Sequence, residues 1–368
     1  MTVYIHQLPE WPRFSWDATA LAKQLAAVRL RQGQLIGRMQ ALGFPQQEEA
    51  ALTTLTEEVL KSSEIEGEKL DNDMVRSSLA RRLGMDAGAL PSADRNVEGV
   101  VEMTLDATQK FKTELTAERL FGWHASLCPT GRSNMKKIAV GAWRDASAGA
   151  MQVVSGDYGR EHVHYEAPPA AKLNAEMAGL LDWYNAEEKI DPIIKAAIAH
   201  LWFVTIHPFE DGNGRIARAI ADMSLARSEG IPQRFYSMSA QIRAERKTYY
   251  DMLESTQKGS LDITPWLEWF LGCLDRAFTG AETILAAVLE KADFWKRHAT
   301  IQINDRQRDM LNRLLDGLDG KLTSSKWAKI EKCSPDTALR DIQGLVDQDV
   351  LVKDPGGGRS TSYSLVSS

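Results

Sequence analysis

The residues of this chain with the clearest chemical potential are consecutive: His207, Pro208, Phe209, Glu210, Asp211, Gly212, Asn213, Gly214, Arg215, Ile216, Ala217 and Arg218. A histidine can accept a proton near neutral pH, as a general base must. A carboxylate such as Asp211 is the hard oxygen donor that Mg²⁺ prefers. Gly212 and Gly214 let the backbone approach a ligand closely, and the Arg-Ile-Ala-Arg stretch that follows reads as a helix whose N-terminus would face an anion. Arg215 and Arg218 are three residues apart, so they share a helical face and can offer forked donors to adjacent phosphates. Together these parts suit a triphosphate held beside a base and a metal.

Simpler readings exist for each residue alone. His207 would be a packed histidine before a proline, Asp211 a helix cap and Arg218 a solvated face residue. Their occurrence together favours a site. The run also matches the dinucleotide pattern G-x-G-x-x-A, but that pattern needs a preceding strand and a later acidic partner. The preceding Ala196 to Phe203 segment is helical in period, and Pro208 would interrupt a central strand. A Rossmann site is therefore rejected, and no P-loop sequence occurs. His200, seven positions before His207, reads as packing because no third metal ligand accompanies it.

The elements that must position this cluster are mostly helical. Leu21, Leu25, Val28, Leu35, Met39 and Leu42 recur at helical spacing until Gly43 and Pro45. A second helix carries Leu52, Leu55, Val59 and Leu60 and runs to Ser62-Ser63-Glu64-Ile65-Glu66-Gly67, where Gly67 is the expected C-terminal stop. A Gly/Ala/Pro-rich connection from Gly84 to Asp94 marks a boundary. Helices are expected over Lys172 to Asn185, Ile193 to Ile206 and Trp266 to Leu289. Met151 to Pro169 reads instead as a β-hairpin, with its turn at Ser155 to Arg160. Near the C-terminus, helical Met310 to Leu315, Lys326 to Ile330 and Asp336 to Leu345 precede Val350-Leu351-Val352, a Pro-Gly-Gly-Gly turn and Ser362 to Leu365. That is the order of a winged helix.

With 368 residues the chain should hold two or three domains. The expected limits are 1–90, 91–297 and 298–368. Hydrophobic content of 43% and charged content of 26% are globular values. The net charge of -6 argues against a protein coated by a polyanion. Cys128, Cys273 and Cys333 have no CxxC spacing, so neither a disulfide framework nor a zinc site is signalled, and a cytoplasmic location is expected. No export or membrane-spanning segment is expected.

The run from His207 to Arg218 resembles the complete signature of the Fic family, H-x-F-x-[DE]-G-N-G-R-x-x-R, without a departure. Resemblance continues in Gly141-Ala142-Trp143-Arg144, in the hairpin before Pro168-Pro169, and from Arg246 to Tyr250 and Trp266 to Phe270. It covers about residues 95 to 275. It implies a mainly α fold: a helical core with a β-hairpin flap, an N-terminal helical region and a C-terminal winged helix. It also implies transfer of AMP from ATP to a Ser, Thr or Tyr hydroxyl of a protein, with release of pyrophosphate. His207 would be the base and Asp211 would hold Mg²⁺. Gly212, Asn213 and Gly214 would cradle phosphates, Arg215 would contact the β-phosphate region, and Arg218 would grip the γ-phosphate. Tyr249 or Tyr250 would line the adenine pocket, with core packing expected for at least one of them. The flap would pair with an extended target segment by strand addition.

Ser62 to Gly67 resembles the family's inhibitory motif, [ST]-x-x-x-E-[GN]. Ser62, Glu66 and Gly67 would then restrain the enzyme, with Glu66 against Arg218. Three alternatives stand beside AMP transfer and its restraint. The same site could remove AMP by hydrolysis, with Glu66 orienting water. The C-terminal unit could bind DNA through Arg340 and Lys332, although Asp336, Asp341, Asp347 and Asp349 surround them; it could equally dock a protein. The resemblance also admits a homodimer.

Overall fold

The computed structural model describes residues 3–85, 91–133, 136–146, 149–156, 162–186, 189–355 and 361–366. Part of the expected Gly84 to Asp94 connection, most of the hairpin turn (157–160) and the glycines at 356–358 lie outside the described residues. The chain divides into two compact units, Met1–Ile284 and Leu285–Ser368.

In the first unit, helix α1 (Ala18–Gln40) starts at Asp17, whose carboxylate accepts from the N–H groups of Thr19 and Ala20. Pro45 occupies the first turn of α2 (Phe44–Ile65), where its missing N–H costs nothing. It therefore opens the second helix as well as closing the first. Helix α2 ends at Glu66, and Gly67 follows with φ +87°, a conformation that favours glycine. Next come α3 (Asn72–Arg82), α4 (Arg95–Gln109) and α5 (Ala117–Leu127), then a two-residue ribbon of β1 (Arg132–Ser133) with β2 (Lys136–Lys137).

The expected hairpin is present as β3 (Gln152–Ser155) paired antiparallel with β4 (His162–Glu166), irregular between Val153 and Val154. Helix α6 (Leu173–Asn185) leads to α7 (Pro192–Ile206), which Asp191 caps and Pro192 begins. Apart from Pro192 and Lys195, every α7 residue is buried. Such a segment cannot have a solvated face, and it packs along α8 (Asn213–Glu229), itself buried through most of its length. The α7–turn–α8 hairpin is the centre of this unit, and its turn carries His207 to Gly212. Helices α9 (Met238–Ala244) and α10 (Arg246–Gln257) follow, then the long α11 (Thr264–Arg297), within which the division between units falls.

The second unit continues with α12 (Asp305–Leu315), β5 (Leu322–Thr323), α13 (Ser324–Ile330), α14 (Pro335–Val346), β6 (Leu351–Lys353) and β7 (Ser362–Leu365). Its three strands form an antiparallel sheet in the order β5-β7-β6. Strand β5 was not evident in the sequence, because two residues carry no periodicity. This unit has its own core around Trp327, Met310, Leu311, Ile342 and Leu345. Among the described residues no helix is long and apolar enough to cross a membrane.

Candidate active site

His207 caps the C-terminus of α7 in the left-handed conformation, φ 51° and ψ 58°. A non-glycine residue is rarely held there without surrounding support. The support comes from Arg144. Its Nε donates to the His207 carbonyl at 2.8 Å and its guanidinium to the Pro168 carbonyl at 2.6 Å. The Arg144 backbone N–H donates to the Pro208 carbonyl at 2.9 Å. Phe209 then plunges beneath the turn, fully buried, stacked on the His124 ring at 4.2 Å between centroids and packed against Trp143 at 5.0 Å. The motif's aromatic is thus the plug that fixes the loop.

Asn213 completes the fixation. Its side-chain oxygen accepts from the Phe209 N–H at 2.9 Å, while its amide donates back to the Phe209 carbonyl at 2.8 Å. The side chain expected to meet phosphate therefore holds the turn shut. Gly212 adopts φ +79°, a backbone conformation that favours glycine. One Asp211 carboxylate oxygen accepts the Gly212 N–H at 2.6 Å, which orients the carboxylate at the start of α8. The other oxygen gives a hard donor for a cation, so the residue fits the Mg²⁺ role.

The His207 ring Nδ1 lies 3.2 Å from the Val204 carbonyl. A carbonyl only accepts, so Nδ1 carries the proton and Nε2 is left as the acceptor. Burial pushes the His207 pKa down to about 4, against a smaller opposing effect of the Val204 bond. The imidazole is therefore neutral at physiological pH, the form a base requires.

Arg215 and Arg218 lie together as the spacing implied, with only 4% and 2% of their surfaces exposed. Both are already held by acids from the end of α2. Arg218 Nε donates to Ser62 Oγ at 3.0 Å, its second terminal nitrogen to the Ser62 carbonyl at 2.8 Å, and its first lies 2.8 Å from Glu66 Oε1. Burial works to lower the Arg218 pKa, yet the Glu66 carboxylate holds it above the usual value. The same Glu66 oxygen lies 2.1 Å from where a Cβ on Gly214 would stand. A carboxylate thus rests directly on the first turn of α8, where the helix favours an anion. Glu68, which the sequence reading passed over, lies 2.6 Å from Arg215. The signal was available: it is one more acid two positions beyond Glu66.

The α2 terminus is gripped from the other side. Arg246 Nε donates to the Ile65 carbonyl at 2.8 Å, and the Glu58 carboxylate accepts from Ser237 Oγ at 2.7 Å and the Ser239 N–H at 3.1 Å. The two tyrosines differ. Tyr249 is 1% exposed, its hydroxyl 2.9 Å from His200 Nε2, and it packs with Trp266 and Trp269. That is a core position, and His200 shares it. Tyr250 is half-buried over Arg246, near the Ile65 carbonyl.

The β3–β4 hairpin is tied to the same turn. Tyr165 donates its hydroxyl proton to the Thr205 carbonyl at 2.7 Å, two residues before His207, and His6 Nδ1 lies 3.0 Å from the Tyr165 hydroxyl oxygen.

Residues 114–225 match the family model of the Fic/DOC family, and residues 4–85 match a domain of unknown function (DUF4172). The chain is similar to Protein adenylyltransferase Fic of Culex quinquefasciatus, 33% identical over 129 residues, which are 34% of this chain and 24% of that one. It is also similar to Protein adenylyltransferase fic-1 of Caenorhabditis elegans, 38% identical over 96 residues, 26% of this chain and 17% of that one. The chain therefore spans about a quarter or less of the length of these curated relatives. Among solved structures, a Fic family protein from Desulfovibrio desulfuricans G20 superposes with a TM-score of 0.52 at 22% identity, covering 93% of this chain and 95% of that one. A Fic domain containing signaling protein from Bacteroides thetaiotaomicron VPI-5482 gives 0.52 at 22%, covering 70% and 96%.

Proposed function

We propose that this chain, which carries a Fic domain, transfers AMP from ATP to a hydroxyl of a target protein and is restrained by its own α2 helix. The target hydroxyl gives its proton to Nε2 of neutral His207 as its oxygen bonds to the α-phosphorus. The bond from that phosphorus to the bridging oxygen breaks, and pyrophosphate leaves. The N–H groups at the start of α8 and the guanidinium groups of Arg215 and Arg218 hold the phosphates and offset their charge. Asp211 would hold Mg²⁺, which would supply charge neutralisation on the phosphates. The hairpin β3–β4 receives an extended target segment along its edge.

The observation that carries this reading is the Glu66 carboxylate, which stands on the α8 N-terminus and against Arg218, where a phosphate would have to go. A charge-assisted contact of this kind contributes about 1.5–3 kcal/mol, which biases binding by roughly ten- to a hundredfold. Titration calorimetry with ATP and Mg²⁺ tests it. Glu66→Gly should bind ATP about ten- to a hundredfold tighter than the unaltered chain, and Arg218→Ala should abolish the gain. Equal affinity in the unaltered chain and Glu66→Gly would remove the restraint from the account.

The second unit supports a winged-helix reading through its order of helices and its three-stranded sheet. On α14, Asp341 is bound by Arg306, and Arg340 stands between acids. That charge pattern suits docking to a protein better than to DNA.

A further inference from the structure

We propose that His162, His164 and Glu254 form a binding site for a divalent ion of the zinc class, joining the β3–β4 hairpin to α10. The two-residue period of a strand sets both histidines on one face of β4, and their rings meet edge-on with centroids 4.6 Å apart. Glu254 faces them from α10. One ligand atom from each residue lies within 4.8 Å of the other two.

The spacings suit a metal. Zinc bonds nitrogen and oxygen at about 2.0–2.1 Å, so a tetrahedral site holds its ligand atoms about 3.3 Å apart. Glu254 Oε2 lies 2.6 Å from His164 Nδ1 and the other oxygen, Oε1, 3.8 Å from His162 Nε2, so the carboxylate spans both rings. The His162 side chain is 67% exposed, so it can turn to close the remaining gap. Ser155 Oγ lies 2.6 Å from His164 Nε2. With an ion on Nδ1 the ring proton would move to Nε2, and Ser155 Oγ would accept it. Metal-binding histidines are oriented in this way by a hydrogen bond on the other ring nitrogen.

In the ion-free chain the 2.6 Å contact is a hydrogen bond in which His164 Nδ1–H donates to the Glu254 carboxylate, and a metal ion would take that proton's place. Lys258 Nζ, 2.5 Å from the other Glu254 oxygen, supplies part of the charge and would yield that oxygen to the ion. Three protein ligands leave a fourth position for water. An ion here would tie the hairpin strand to the helix whose Arg246 holds the end of α2. The binding claim itself is independent of the AMP-transfer reading.

The full-length, tag-free chain is titrated with Zn²⁺ against a chromophoric chelator, then with Co²⁺ followed by visible absorption. One equivalent of each ion should bind, Co²⁺ with the strong absorption of a tetrahedral site. His164→Ala and Glu254→Gln should each weaken binding by about a hundredfold or more, Ser155→Ala by about ten- to a hundredfold, and His298→Ala not at all. Absence of stoichiometric binding, or binding that survives the His162→Ala/His164→Ala double variant, would overturn the site.

Discussion

Two acids two positions apart meet two arginines three positions apart, and the pairs have unequal weight. Glu66 reaches Arg218 and also rests on the first turn of α8, so it opposes both guanidinium and helix-terminus contacts with phosphate. Glu68 engages Arg215, and 49% of its side chain is exposed, so solvent screens the pair. Glu66→Gly is therefore expected to raise AMP transfer by about ten- to a hundredfold, and Glu68→Gln by a few-fold at most; initial rates with labelled ATP measure both. A Glu68→Gln effect equal to that of Glu66→Gly would show that Arg215, not Arg218, is the controlling contact. The sequence made Glu66, Arg215 and Arg218 legible because their spacing is a motif. Asn213 was legible only as part of that motif: its amide closes on Phe209, a contact made by a turn and invisible in a linear pattern.

At the scale of elements, α2 is held to the α8 N-terminus by neighbours as much as by its own acid. Arg246 binds the last carbonyl of the helix, complementing the negative end of its dipole, and Glu58 is fastened to the start of α9. Arg246→Ala should loosen this helix, lowering stability by about 1 kcal/mol in thermal unfolding while raising AMP transfer. Reduced stability with unchanged transfer would separate the two roles. The turn between α7 and α8 depends likewise on Arg144, which spans the His207, Pro208 and Pro168 backbone. Arg144→Lys cannot keep the fork and should lower the transfer rate of Glu66→Gly by about tenfold or more, with nucleotide affinity little changed. Helices α7 and α8 were readable from their apolar runs and their glycine and proline borders. The ends of α2 were readable too, but the contacts that press it onto α8 come from residues some 180 positions away and leave no local trace.

At the scale of the whole chain, buried histidines contribute to the response to acid. Burial holds His6 and His207 at about 4 and His200 at about 3, whereas unfolded histidine titrates near 6.5. At these three sites the unfolded chain binds more protons than the folded one between about pH 6.5 and 4, so their contribution to stability rises with pH in that window, while Glu331, raised to about 7, and Asp222, raised by burial, contribute in the opposite sense. Each group contributes at most about 1.4 kcal/mol per pH unit there. Calorimetric melting should show a lower Tm at pH 5 than at pH 7, with a shallower decline in His207→Asn. A decline no shallower in His207→Asn than in the unaltered chain would mean that this ring is not buried neutral.

The central claim is that a competent AMP-transfer site is silenced by Glu66. The most direct measurement incubates the unaltered chain, Glu66→Gly and Glu66→Gly/His207→Ala with ATP labelled at the α- or γ-phosphate and Mg²⁺, and reads label on protein. α-Label alone is expected, weak in the unaltered chain, strong in Glu66→Gly and lost when His207 is also replaced. Protein that carries γ-label, or no α-label in Glu66→Gly, would contradict it.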